Sequence, residues 1–151
     1  METFNALLAY LHFAAIMLLA ALATAEFFML RENLNAKAVV ALCRVDMLYV
    51  GAGFLALLSG AVRFGTTSRG FIYIGGNPLF WVKMALFCVI ALTSLYMSWR
   101  YSRWAHFART DSSYHAPSSE AGSAQLLVKL QLVLIAILPL FAVLMVRGIA
   151  R

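Results

Sequence analysis

An all-α integral membrane bundle of four transmembrane helices is the fold class this sequence predicts, on three observations. Of its 151 residues, 64% are hydrophobic and only 12% are charged, against about 45–50% and about 25% in a soluble domain. Mean hydropathy is +0.86. The apolar residues gather into four stretches, each long enough for the roughly 20 residues that cross a bilayer. This composition excludes a soluble monomer, and it excludes intrinsic disorder, which needs few apolar residues and many charges. Four spans take about 80–90 residues, so the chain reads as a single membrane domain, 1–151, with no room for a soluble catalytic unit.

The first span is read over about 4–30, interrupted by His12, Thr24 and Glu26. Ala23-Thr24-Ala25 mimics a signal-peptide cleavage site, but Met1 to Leu8 carries Glu2 and no Lys or Arg, so the segment reads as a retained span. Arg31-Glu32-Asn33-Leu34-Asn35 closes it. The second span covers about 38–62 and carries Arg44 and Asp46 near its start. From Arg63 to Pro78 the chain holds Gly65, Gly70, Gly75, Gly76 and an Asn77-Pro78 break, which is turn chemistry that ends one helix and starts another. The third span, about 79–99, contains Lys83. The polar stretch Arg100 to Gln125, rich in Ser, reads as a mobile loop. The fourth span covers about 126–146, and Pro139 predicts a bend within it.

The formal charge of +6 belongs to basic residues beside apolar segments, so it reads as loop charge that orients spans and not as a nucleic-acid surface. Arg63, Arg69, Arg147 and Arg151 fall on the side of the termini. Arg31, Lys37, Arg100, Arg103 and Arg109 fall on the other, with Arg44 and Lys129 at its margins. That bias places the first and third connections in the cytoplasm and both termini outside it, in a bacterial inner membrane. Cys43 and Cys88 lie in apolar stretches without a CxxC spacing and read as small buried hydrophobes. Small residues allow spans to approach closely. Asp46, Gly53 and Gly60 recur at steps of seven, thickened by Gly51, Ala52, Ala56 and Ser59, and the first span is rich in Ala. Tight packing of the first two helices follows, and such surfaces also permit a homo-oligomer.

Charges inside the membrane are the informative residues, since each costs several kcal/mol unless paired or hydrated, on an order-of-magnitude scale. Five stand out: His12, Glu26, Arg44, Asp46 and Lys83. His12 and Glu26 share a face of the first helix but stand about 21 Å apart along its axis. Lys83 falls at the depth of His12, and Arg44 and Asp46 near the depth of Glu26. Two polar layers are thus expected. In the inner layer, Glu26 pairs with Arg44, with Asp46 engaged beside them, or the group forms a proton or substrate pathway. In the outer layer, either Lys83 snorkels to the interface while His12 bonds a backbone carbonyl or a hydroxyl, or the two face a shared ligand cavity. Neutral His is a frequent metal and haem ligand. His106, Asp111 and His115 lie on a flexible stretch that makes a poor metal scaffold, so no metal site is expected. The seven Met residues are scattered as core filling. No Walker loop, GxSxG, HExxH or glycine fingerprint occurs.

Leu11-His12, Arg44-Val45-Asp46, Arg69-Gly70-Phe71-Ile72-Tyr73 and the run Asn77-Pro78-Leu79-Phe80-Trp81-Val82-Lys83-Met84-Ala85-Leu86-Phe87 resemble an uncharacterised bacterial group of inner-membrane proteins, the domain-of-unknown-function family 2214. The resemblance runs over roughly residues 5 to 145, with Asn-Pro-x-Phe-x-x-Lys its most specific element. It implies four membrane helices and no activity. More distantly the chain is similar to HemJ-type protoporphyrinogen oxidases and CopD-like copper-resistance membrane proteins, which begin with a His-bearing helix and carry Lys-x-Ala-Leu in the third. That similarity implies a b-type haem, with His12 and Lys83 as the matching positions. The HemJ type has a His two residues before that Lys, where this chain has Trp81, and another just after the first span, where it reads Met29-Leu30-Arg31-Glu32. The leading expectation is a small haem-associated, oxidoreductase-like membrane protein working through His12 and Lys83. The competing one is a non-enzymatic accessory or small-solute carrier bundle whose buried charges mainly fix helix packing.

Overall fold

A computed structural model describes residues 2–30, 34–66 and 75–147. Among them are four helices: α1 Glu2–Met29, α2 Ala36–Gly65, α3 Pro78–Thr110 and α4 Ser118–Val146. All four are long and apolar enough to cross a membrane. Each packs on the next and α4 returns to α1, so the bundle closes as a ring in chain order. The motif Arg69 to Tyr73 and the turn residues Arg31 to Asn33 lie outside the described residues.

Local chemistry explains where the helices begin. Asn35 caps α2 by accepting a hydrogen bond from the Ala38 N–H at 3.0 Å, and Asn77 caps α3 by accepting from the Leu79 N–H at 2.9 Å. Each satisfies a backbone donor that the first turn leaves unpaired. Pro78 follows in the first turn of α3, where its missing N–H does no harm. The fourth helix starts after Pro117 without a side-chain cap. It runs through Pro139 as one helix to Val146.

The stretch Arg100 to Gln125, expected to be a mobile loop, is mostly helical. Thr110 ends α3 and Ser118 starts α4, which leaves seven connecting residues, Asp111 to Pro117. Tyr101, Trp104, Ala105 and Ala108 recur at helical spacing and are buried, so the polar residues between them occupy an outer face. Glu120 gathers three donors: Arg103 at 2.9 Å, Trp104 Nε1 at 3.0 Å and Arg100 Nε at 3.3 Å. The connection itself is ordered by Asp111, which accepts from the Ser113 hydroxyl at 2.6 Å and the Ser113 N–H at 2.8 Å. These two bonds, the hydroxyl's first, hold the Asp111 carboxyl below its ordinary range. The first and third connections are tied together: the Ala116 N–H donates to Leu34 O at 3.0 Å, and Asn35 bridges His115.

The core is uneven along the axis. At the end of the first and third connections, Leu34, Leu42, Met97, Tyr101, Trp104 and Val128 form a dense cluster. A second cluster of Ala15, Leu19, Ala23, Tyr49, Ala52, Ala56, Ile90 and Ile135 fills the middle. Beyond it, towards the termini, burial stops. The first buried residue of α1 is Ala15, the last of α2 is Ser59 and the first of α3 is Ile90, while on α4 none is buried after Ile135. Among the described residues, the end nearest the termini is therefore the open end. Close approach of α1 and α2 is made by Ala15, Ala23, Ala52 and Ala56 rather than by the whole glycine stripe, since no atom beyond the immediate backbone lies within 4 Å of a side chain added at Gly51 or Gly53.

Candidate functional site

Two polar centres sit at different depths of the ring. The deeper one lies near the packed end, between α1, α2 and α3. Glu26 is 1% exposed and Asp46 2% exposed, and each acts electrostatically on the other's surroundings. Tyr49 and Tyr101 both lie within reach of the two carboxyls, and Ser98 stands beside Asp46. Five buried polar atoms here complete no hydrogen bond: Glu26 Oε1, Asp46 Oδ1, Tyr49 OH, Ser98 Oγ and Tyr101 OH. Buried polar atoms are almost always paired, so five unpaired among the described residues in one place single this centre out as the candidate site.

The Glu26–Arg44 ion pair expected from the sequence does not form. Arg44 is exposed and lines a surface cleft with Lys37 and Ser112. Two residues along a helix turn the side chain by about 200°, so the rotation that aims Asp46 inward aims Arg44 out. Among the described residues, the only ion pairs run from Arg100 and Arg103 to Glu120. Among those residues neither Glu26 nor Asp46 has a basic partner.

The second centre occupies the open end. His12 Nδ1 lies 3.0 Å from Ala56 O and 3.0 Å from Ser59 Oγ. A carbonyl only accepts, and the Ser59 hydroxyl spends its proton on Leu55 O at 2.7 Å. Nδ1 therefore carries the hydrogen and shares it between them, which leaves Nε2 with its lone pair. The ring rests against Gly60: a Cβ there would stand 3.0 Å from His12 Cε1. One turn further along α2, Arg63 lies over the Phe13 ring at 5.5 Å. Phe64 stacks on Phe80 at 5.3 Å, which brings the start of α3 against the end of α2. Lys83, half-buried and one turn beyond Phe80, acts electrostatically on His12 together with Arg63.

The sequence singled out His12, Lys83, Glu26 and Asp46. It did not single out Arg63, Tyr49, Ser98, Tyr101 or Gln131. Arg63 looked like loop charge, although its place three residues after Gly60 puts it on the same face as His12's contact. Gln131 is fully buried and donates to Thr93 Oγ1 at 2.9 Å, linking α3 to α4. A polar residue alone in an apolar run was the signal available for it. The remaining histidines lie apart: His106 is on the exposed face of α3, and His115 Nδ1 donates to Ser113 O at 2.9 Å. Among the described residues no three His, Cys, Asp or Glu side chains come together.

Exposed aromatic residues mark the membrane boundaries. Tyr10 and Trp81 lie near the open end, Tyr96 and Trp99 near the packed end, and all are exposed. Trp81 and Trp99 are about 27 Å apart along α3 at the helical rise, close to the ~30 Å hydrocarbon thickness. Such rings anchor at the headgroup level. The carboxyl centre thus lies at the level of one interface, enclosed by protein, and the His12 centre lies just inside the other.

No curated protein matches this chain, and no solved structure does. A family model described as a predicted membrane protein, DUF2214, matches residues 4–150. With nearly its whole length matched, four apolar helices and no strand among the described residues, the chain belongs to the DUF2214 family of predicted membrane proteins.

Proposed function

We propose that this protein is a small carrier bundle that takes up a proton between Glu26 and Asp46 as part of moving a solute across the membrane. One observation carries the reading: two carboxyl groups from different helices are buried together without a basic partner among the described residues, each with an oxygen that completes no hydrogen bond there. Two buried like charges are costly, and a proton held between them removes the repulsion. The tyrosine hydroxyls of Tyr49 and Tyr101 supply donors that rearrange as the proton comes and goes. Ionisable groups within membrane bundles commonly mark ion and proton paths. Four spans give one copy little wall for a solute path, so the reading includes assembly of several copies. It also places the protein in a bacterial inner membrane with both termini outside the cytoplasm, from the Lys and Arg bias.

Infrared difference spectroscopy of reconstituted protein, titrated from about pH 4 to about pH 9, tests this directly. A carboxylic-acid carbonyl band should appear and vanish with pH, be diminished in Glu26→Gln and Asp46→Asn, and vanish in the double variant. Vesicles loaded with a pH-sensitive dye should lose proton uptake in the same variants. A wild type without any titrating carboxyl band overturns the reading and leaves the pair as packing residues.

A second reading, a haem-associated redox protein, is favoured by one specific feature. His12 is held through Nδ1–H by a backbone carbonyl, the arrangement that fixes the ring of a ligating histidine and leaves Nε2 for a metal. Haem bound there would supply one-electron chemistry, with Lys83 and Arg63 placed to neutralise its propionates. Among the described residues, clefts of about 350 and 340 Å³ lie at the opposite end of the bundle from His12, which is why this reading stands second. Protein purified from haem-replete cells should then show a Soret band that His12→Ala abolishes. A colourless, well-folded preparation sinks it.

A further inference from the structure

We infer that His12, Arg63 and Lys83 form a binding site for a phosphate-type oxyanion at the open end of the bundle. The argument starts from charge. Arg63 and Lys83 come from two helices, act on the same imidazole and on each other, and have no carboxylate partner among the described residues. Elsewhere the cation that helix packing does bury is paired: Arg100 meets Glu120, which also takes the exposed Arg103. A half-buried pair of cations that lacks such a partner is completed by an anion brought from outside.

Geometry prepares the site for that anion. Arg63 is steadied by the face of Phe13 at 5.5 Å, and its planar fork of donors, without a carboxylate among the described residues, has a shape that matches phosphate oxygens two at a time. His12 is fixed by Ala56 O and Ser59 Oγ through Nδ1, so its Nε2 faces away from those anchors and its ring forms a fixed wall beside the two cations. The Phe64–Phe80 stack at 5.3 Å holds the Lys83 helix against the Arg63 helix. Helix packing does not close the region: α1 has no buried residue before Ala15, and α3 none before Ile90. Depth completes the case. Lys83 lies two residues past Trp81 and Arg63 two residues from the end of α2. Both stand near the Trp81 boundary, where a long basic side chain reaches the level of the lipid phosphates.

Two sources present this chemistry there, an anionic lipid headgroup and free phosphate, and one experiment separates them. Delipidated protein in a neutral detergent is titrated with phosphatidylglycerol, with phosphatidylcholine and with inorganic phosphate, and binding is read by native mass spectrometry and thermal unfolding. Phosphatidylglycerol bound about tenfold more tightly than phosphatidylcholine, with no effect of inorganic phosphate, assigns the headgroup source. Stabilisation by inorganic phosphate without lipid assigns the free anion. Arg63→Gln and Lys83→Gln should each weaken binding about tenfold, the scale of one charge-assisted contact, and Arg63→Lys should retain more than Arg63→Gln. Arg44→Gln, an exposed cation at the other end, should leave binding unchanged. Equal weak binding of all three probes by wild type overturns the inference, as does a loss in Arg44→Gln as large as that in Lys83→Gln. Since the wild-type comparison decides by itself, a variant that fails to fold does not rescue the inference. Glu26→Gln should bind the anion normally, so a failed proton reading and a failed anion site give different results.

Discussion

At position 60 the lack of a side chain decides how α1 and α2 meet. The His12 ring occupies the space a methyl group would take, with its Cε1 3.0 Å and its Nδ1 3.5 Å from that point. Gly60→Ala should therefore push His12 off Ala56 O and Ser59 Oγ and destabilise the bundle by about 1–3 kcal/mol, the scale of overpacking and of a stranded buried donor. In a His12→Ala background the same change should reverse sign, because the clash is gone and Ala favours a helix over Gly by about 1 kcal/mol. Thermal unfolding of the four proteins of this cycle reads the sign directly. If Gly60→Ala costs the same with and without the imidazole, the close contact is not what glycine is there for. The neighbouring Gly51 and Gly53 meet nothing within 4 Å, and Ala there should be tolerated.

At the scale of helices, hydropathy located each of the four apolar helices but not every helix end. The apolar run that marked the third span stops near Trp99, where the aromatic boundary falls, yet α3 continues to Thr110. Past the membrane the helix obeys a different rule: it buries Tyr101, Trp104 and Ala108 against Leu34 and Ala116 and shows its charges to water. A window sensitive only to average polarity mistakes such an amphipathic extension for a loop. The depth of each intramembrane polar residue could be read from residue numbers, because the rise of a helix is constant. Facing could be read only within one helix. Asp46 and Arg44 were known to point apart, but which of them met Glu26 depended on how α2 is rotated against α1, and that rotation is set by Ala15, Ala23, Ala52 and Ala56 packing together. Tyr49, Ser98 and Tyr101 entered the carboxyl centre by the same route and carried no signal of their own in the chain.

For the whole molecule, the separation of Trp81 from Trp99 sets the two membrane boundaries and leaves the first and third connections on one side. On the orientation proposed above from the charge bias, that side faces the cytoplasm. Single cysteines placed at Ser113 and at Thr66, in a chain with Cys43 and Cys88 replaced, should react from opposite faces with a membrane-impermeant maleimide. Labelling of Thr66→Cys in intact cells, with Ser113→Cys labelled only after lysis, supports the assignment, and the reverse pattern inverts it. The junction of Ala116 with Leu34 at 3.0 Å has a mechanical consequence. It clamps the two helical hairpins together at the end of the first and third connections, so a tilt of one against the other would pivot there, as on a fulcrum. Displacement grows with distance from the pivot: over an arm of about 30 Å, some 20 residues of helix, a tilt of about 5° moves the far tip by about 3 Å. At the far end the only described side-chain stack between the hairpins is Phe64 on Phe80 at 5.3 Å, so a tilt that slides those two rings would change the spacing of Arg63 and Lys83 while the clamped end keeps its shape.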